Sequence, residues 1–300
     1  MRIVFVLCEG PHDIAFLSRL LSADGYVKYK NVLSQFPKPL NQWFTSISKN
    51  LRIEDLSLNR MYDDIKAVLP SGAMENQERD HLVLFYSMNG DEQKDKRKRV
   101  IRELKSWTHS PADEKEFSLM EENSDAGNNY GLILLFDADE HGVDSRIETT
   151  KKELSEYFTN ADKISYNGGI IEENENIKLG IYIFANPDTK TGTLENILLP
   201  IMKQGNEPMF DDAEDFLNKH YDESRLKPLI FRKHSQEGLI EKRDCRNKYH
   251  PIKSLMGVVG QLQNSGASNT VCIEKADYIT LGKIKNSHIC QHILDMFSRL

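Results

Sequence analysis

The sequence predicts an α/β fold, a mainly parallel sheet with helices on both faces, and three observations lead to it. Short β-branched and aromatic runs recur at 2–8 (RIVFVLC), 82–87 (LVLFYS), 131–136 (GLILLF) and 180–185 (GIYIFA). A helical spacing of apolar residues follows each run, first in IAFLSRLL and then at 93–106, 145–158 and 193–204. Strands that alternate with helices imply βαβ units rather than hairpins.

The chain opens as strand, turn and helix: RIVFVLC is closed by Glu9-Gly10-Pro11, and Pro11 suits a first helical turn, where its missing N–H costs nothing. Residues 23–80 interrupt the alternation. They hold helical spacing near 40–50 and 55–68 and no clear strand, so they read as a helical insertion. The polar stretch 109–128 reads as a connection. Beyond Pro200 the pattern turns helical and irregular until TVCIEKADYI (270–279), a late strand candidate, and an amphipathic tail at 287–299. These features suggest a catalytic domain over 1–204 and a C-terminal extension over 205–300.

With 300 residues, 39% hydrophobic and 28% charged, the chain has a globular balance and enough length to bury a sizeable core. No apolar run approaches the roughly 20 residues of a membrane helix, and MRIVFVLCEG lacks a signal peptide's charged lead and cleavage site. No membrane partner and a cytoplasmic location are the expectations. Cys8, Cys245, Cys272 and Cys290 are too scattered for a zinc knuckle or redox pair, and buried thiols are expected. A net charge of −7 argues against a polyanion binder of the whole-surface kind, but leaves room for a local basic patch.

In open α/β sheets reactive groups gather beyond the carboxyl ends of the strands. Carboxylates stand there in this chain. Glu9 follows the first run, with Asp13 four residues on. Asp137, Asp139, Glu140, His141 and Gly142 follow the third, and Glu195 lies in a first helical turn reached through Gly192. Acids crowded at one sheet edge repel unless protons or a cation neutralise them. Oxygen donors without paired Cys or His favour Mg²⁺, with Mn²⁺ as a substitute, over zinc, and Mg²⁺ keeps waters while using a few carboxylates and substrate phosphates.

A glutamate after the first strand and Asp137-Ala138-Asp139 followed by Gly142 resemble the TOPRIM domain of topoisomerases, primases and small nucleases. Asp13 in EGPHD resembles the acid that the nuclease branch, including the OLD-like enzymes, carries four residues after the glutamate. The stretch GTLENILLP is similar to uncharacterised bacterial TOPRIM-like proteins and makes Glu195 a further ligand candidate. The resemblance spans about 1–22 and 80–200. It implies an endonuclease in which Glu9, Asp137 and Asp139 are catalytic and hold one or two Mg²⁺ ions, with Asp13, Glu140 and Glu195 completing the shell. His12 and His141 flank these ligands and are candidates for proton transfer.

The resemblance also implies an anti-phage effector role. The chain has no GxxxxGK[ST] sequence, so any ATPase of the OLD kind would be a separate polypeptide. Primase-like nucleotidyl transfer and a catalytically inert TOPRIM module are the alternatives. Two stretches are basic. KDKRKRVIRELK (94–105) reads as a solvated helix face, whereas 226–253, with Phe231 and Tyr249 interleaved, favours DNA or RNA contact through Arg232, Lys233, Lys242, Arg243, Arg246, Lys248 and Lys253. A homodimer is the prior expectation for the assembly.

Overall fold

The computed structural model describes residues 1–50, 69–88, 94–108, 128–234, 237–243 and 248–300. They form two compact units, one of Met1–Ile197 with Ile279–Leu300 and the other of Leu198–Tyr278. The division differs from the expected 1–204 and 205–300, because the last two helices return to the first unit.

The first unit is built on a seven-stranded sheet: β1 (Arg2–Cys8), β2 (Val27–Lys28), β3 (Gly72–Asn76), β4 (His81–Ser87), β5 (Asn129–Asp137), β6 (Ile170–Asn174) and β7 (Ile177–Phe184). Their order in space is β2-β3-β4-β1-β5-β7-β6. The four central strands β4, β1, β5 and β7 are parallel, while β2, β3 and β6 join antiparallel at the edges. The predicted α/β class is therefore correct.

Helices cover both faces because the central strands are apolar on both sides. On one face Ile3, Phe5 and Leu7 of β1 pack into a core shared with α2 (Leu40–Asn50), α3 (Lys94–Thr108) and α4 (Val143–Ser155), through Trp43, Phe44, Ile101, Leu104, Ile147 and Leu154. On the other face lie α1 (Pro11–Ala23), α9 (Leu281–Asn286) and α10 (His288–Arg299). Phe16 of α1 meets Phe184 edge-on at 6.4 Å, and Leu300 closes on Val4 over Gly131. Each such large side chain, fully removed from water, contributes roughly 1.5–3 kcal/mol.

The sequence reading missed β2, β3 and β6. GAMEN has little strand propensity, and β3 forms because its backbone pairs with β4, from Gly72 opposite Phe85 to Asn76 opposite His81. Residues 23–80 are thus not a purely helical insertion. The helix expected at 55–68 and nearly all of the 109–128 connection lie outside the described residues. The expected helices at 93–106, 145–158 and 193–204 correspond to α3, α4 and α5 (Leu194–Lys203).

In the second unit α6 (Glu207–His220), a hairpin of β8 (Leu229–His234) and β9 (Gly238–Arg243), α7 (Pro251–Gln263) and α8 (Asn269–Lys275) follow in order. The late strand expected at 270–279 is a helix over most of its length. Ser268 accepts a hydrogen bond from Val271 N–H at its start, and Cys272 and Ile273 are buried on one face. Capping and packing outweigh the β-branched residues there. Tyr278 closes the unit against Phe210 at 6.1 Å and donates to the Val259 carbonyl. Cys8, Cys272 and Cys290 are buried free thiols, as expected, whereas Cys245 lies outside the described residues. No helix among the described residues is long and apolar enough to cross a membrane.

The basic run on α3 is not simply a solvated face. Arg97 is fully buried, makes two hydrogen bonds of 2.8 and 2.9 Å to Glu153 of α4, and lies 5.1 Å from the Phe136 ring centroid. Replacing Arg97 by Met strands Glu153 and is expected to cost about 3–5 kcal/mol in urea unfolding, most of it recovered by adding Glu153→Leu. A single-variant loss below about 1 kcal/mol would show that the pair carries no structural weight.

Candidate metal centre

The strand connections diverge at the centre of the sheet. From β1 the chain travels to the β4 side, and from β5 to the β7 side, so a crevice opens beyond the carboxyl ends of β1 and β5. Parallel pairing places Cys8 opposite Leu135, which brings the next residue, Glu9, level with the end of β5. Glu9 Oε1 accepts from the Asp137 backbone N–H at 3.0 Å and from the Arg146 guanidinium at 3.0 Å. Asp137 Oδ1 accepts from the Leu194 N–H at 2.8 Å. In each of these carboxylates one oxygen is anchored.

Two loops fix the remaining acid of the aspartate pair. Asp139 and Gly192 exchange backbone hydrogen bonds of 2.8 and 2.7 Å, and Val143 N–H donates to the Lys190 carbonyl. Gly192 has φ +95°, and a Cβ there would stand 2.3 Å from Asn196 Oδ1, which accepts from Thr193 N–H. Glycine is needed at this crossing. Asp139 itself has φ 49°, its side chain is exposed, and it raises the Glu9 pKa through space.

The other candidates divide. Asp13 is buried and its Oδ2 accepts from Gly10 N–H at 2.8 Å, which caps α1. Glu195 is buried with both oxygens engaged, Oε1 with His12 Nδ1 at 2.9 Å and Oε2 with the Thr193 hydroxyl at 2.7 Å. Glu140 and His141 are exposed in the turn, and neither hydrogen bonds to another acid of the group. The structure therefore brings together Glu9, Asp13, Asp137, Asp139 and Glu195 with His12, and leaves Glu140 and His141 apart.

Electrostatics records the crowding. Burial, then Asp13 and Glu9, push the Asp137 carboxyl up to about 9 against the pull of the Leu194 N–H, with Glu195 adding to the rise. Burial also raises Glu9, partly offset by the Asp137 N–H and Arg146. The neighbouring Cys8 thiol is raised by its burial and by Asp13 and Glu9, so it is not a reactive thiolate.

Arg146 is the residue the sequence reading missed. It lies on the buried stripe of α4 with Ile147, Thr150 and Leu154, and its guanidinium sits 5.3 Å from the Phe136 ring centroid. A lone arginine at an apolar helical position, four residues after Gly142, was the available signal.

The donors are oxygens, as a hard cation requires, but they do not form a cage: among the described residues no three His, Cys, Asp or Glu side chains converge on one point. A closed zinc-type site is not built here. The open oxygens of Glu9 and Asp137 beside exposed Asp139 suit a magnesium ion that keeps part of its water shell.

In the second unit Arg232 and Lys233 lie on β8 and Lys242 and Arg243 on β9, all exposed. Lys248 and Lys253 line a cavity of about 320 Å³ with Tyr249, His250 and Ser254. Arg246 lies outside the described residues.

No curated protein matches the chain. Among solved structures, a hypothetical protein (PH0156) of Pyrococcus horikoshii OT3 is 17% identical, with a TM-score of 0.47 over 100% of this chain and 95% of that one. A family model described as a protein of unknown function, DUF3226, matches residues 4–241, and the chain belongs to that family.

Proposed function

We propose that the chain is a Mg²⁺-dependent phosphodiesterase that cuts DNA or RNA, with Glu9, Asp137 and Asp139 as its catalytic carboxylates. One observation carries the reading: Glu9 and Asp137 stand side by side at the ends of adjacent central strands, each anchored through one oxygen. The TOPRIM resemblance of the same three residues supports it.

When bound, the cation supplies Lewis acidity toward a phosphoryl oxygen and activates water for attack. The chain's own groups hold the carboxylates in place. Arg146 and the Asp137 N–H fix the rotamer of Glu9, the Leu194 N–H fixes Asp137, and the Gly192 bridge fixes the turn that carries Asp139. Asp13 and Glu195 serve as positioning groups rather than added ligands, because Asp13 caps α1 and both oxygens of Glu195 are taken. His12 is held through Nδ1 by Glu195 and remains half-buried beside the carboxylates, where it is a candidate for proton transfer. A separate ATPase partner and a defence role rest on the family resemblance alone.

An inert binding module is the second reading, favoured by one contact: Arg146 already neutralises Glu9 from within. Cleavage separates the two. Plasmid DNA, single-stranded DNA and tRNA incubated with Mg²⁺ or Mn²⁺ are expected to be cut by wild type, with a loss on the order of 10²–10³ in rate for Glu9→Gln or Asp137→Asn. Cutting that survives both substitutions, or calorimetry with no cation binding dependent on Glu9, would sink the phosphodiesterase reading.

The raised Asp137 carboxyl adds a pH test in metal-free buffer. Its ordinary value is 3.8 and its folded value about 9, so the folded chain holds a proton that the unfolded chain releases. The stability this provides is complete below about pH 4 and is lost as pH rises toward 9. Asp137→Asn removes the dependence, and the variant is expected to exceed wild type by on the order of 2 kcal/mol near pH 8, the gap closing toward pH 5. Mg²⁺ is expected to raise the wild-type Tm at pH 8 more than that of the variant. A variant no more stable than wild type at pH 8 would contradict the burial of this charge.

A further inference from the structure

The β8–β9 hairpin of the second unit is positively charged in a chain whose net charge is −7. Its described residues carry Arg232, Lys233, Lys242 and Arg243 against Glu237 and Glu241. Antiparallel pairing sets Leu229 opposite Arg243, Phe231 opposite Glu241 and Lys233 opposite Leu239, so these six share one face. On the other face Ile230 and Ile240 are half-buried. The first face leaves its apolar side chains in water: Leu229 is 47% exposed, Phe231 62% and Leu239 73%.

A ribbon with an exposed ring between two cationic ends matches a strand whose phosphates alternate with flat bases. A duplex would ask something different of the same face. Base edges in a major groove are read by hydrogen bonding, and Leu229, Phe231 and Leu239 have no side-chain donor or acceptor. Unstacked bases, by contrast, offer apolar faces to an aromatic ring. Glu241 sits beside Phe231 and works against phosphates at that point, which places the phosphate contacts of this face at Lys233 and Arg243, whereas Arg232 and Lys242 lie on the opposite face.

We propose that the β8–β9 hairpin grips single-stranded nucleic acid on this face, with Phe231 stacking on a base and Lys233 and Arg243 pairing with phosphates. It names the strandedness of the substrate of the proposed phosphodiesterase, and rests on that reading only for what happens to the bound strand.

The test is fluorescence anisotropy of the full chain with labelled DNA and RNA single strands of about 20 nucleotides and the matching duplex, in EDTA so that no cation contributes. Single strands are expected to bind at least about 10-fold tighter than duplex. Phe231→Ala is expected to weaken single-strand binding by about 10-fold or more while leaving its salt slope unchanged, and Phe231→Trp to retain it. Lys233→Gln with Arg243→Gln is expected to lower the salt slope by about one to two. These side chains are exposed, and circular dichroism of each variant checks that the fold is intact. Duplex bound as tightly as single strand, no binding by wild type, or a Phe231→Ala variant that binds like Phe231→Trp would overturn the proposal. Binding without metal-dependent cutting would support the hairpin while counting against the phosphodiesterase, and cutting without this binding the reverse.

Discussion

Crowding of like charges at the dry end of a parallel sheet is the constraint on which the first unit's functional edge depends. Three carboxyl groups with most of their surface removed from water, Asp13, Asp137 and Glu195, lie within electrostatic reach of one another, and Glu9 adds a fourth. An isolated buried charge costs several kcal/mol, so each group needs hydrogen bonds. The chain supplies them from backbone at Gly10, Asp137 and Leu194 and from side chains at His12, Thr193 and Arg146. Several of these donors exist only because two loops meet, and the loops meet through Asp139 and Gly192. The site's geometry and the local fold are therefore one problem.

Much of this was legible in the sequence, and the physical reason is periodicity. Central parallel strands are buried on both faces, so RIVFVLC and GLILLF stand out as unbroken apolar runs, and an acid immediately after such a run has few structural uses. Glu9 and Asp137 stand out as candidates for that reason, and Asp139 through the Asp-x-Asp pattern that resembles TOPRIM domains. Edge strands carry no such signal: GAMEN and the β6 residues IIEEN are held by backbone pairing with a neighbour. The hairpin LIFRKH and GLIEKR was hidden for a related reason, since both of its faces are largely exposed and neither alternates cleanly.

Side-chain pairing across long separations is the other part that a single sequence conceals. Arg146 and Glu9 are 137 positions apart, and His12 and Glu195 are 183 apart. Glu195 is a ligand candidate through the resemblance of GTLENILLP to TOPRIM-like proteins, although an acid in a first helical turn also serves as a helix-end group. In the structure both of its oxygens take hydrogen bonds, from His12 and from the Thr193 hydroxyl. Arg97 is the converse case: a basic residue within KDKRKRVIRELK reads as solvated, yet the register of α3 against α4 turns it inward to Glu153.

The balance of charge gives the cation reading its remaining weight. Glu9, Asp13, Asp137, Asp139 and Glu195 bring five acids to the edge, and Arg146 neutralises one of them. A proton on Asp137, favoured by burial up to about pH 9, neutralises a second. Asp13 and Glu195 take hydrogen bonds that do not cancel their charge, and Asp139 faces water. A divalent ion in place of that proton would compensate the deficit while leaving Arg146 on Glu9, because a carboxylate can accept from a guanidinium through one oxygen and approach a metal through the other. Arg146 and a cation are then compatible in their demands on Glu9, so the contact that favours the inert reading leaves room for the other.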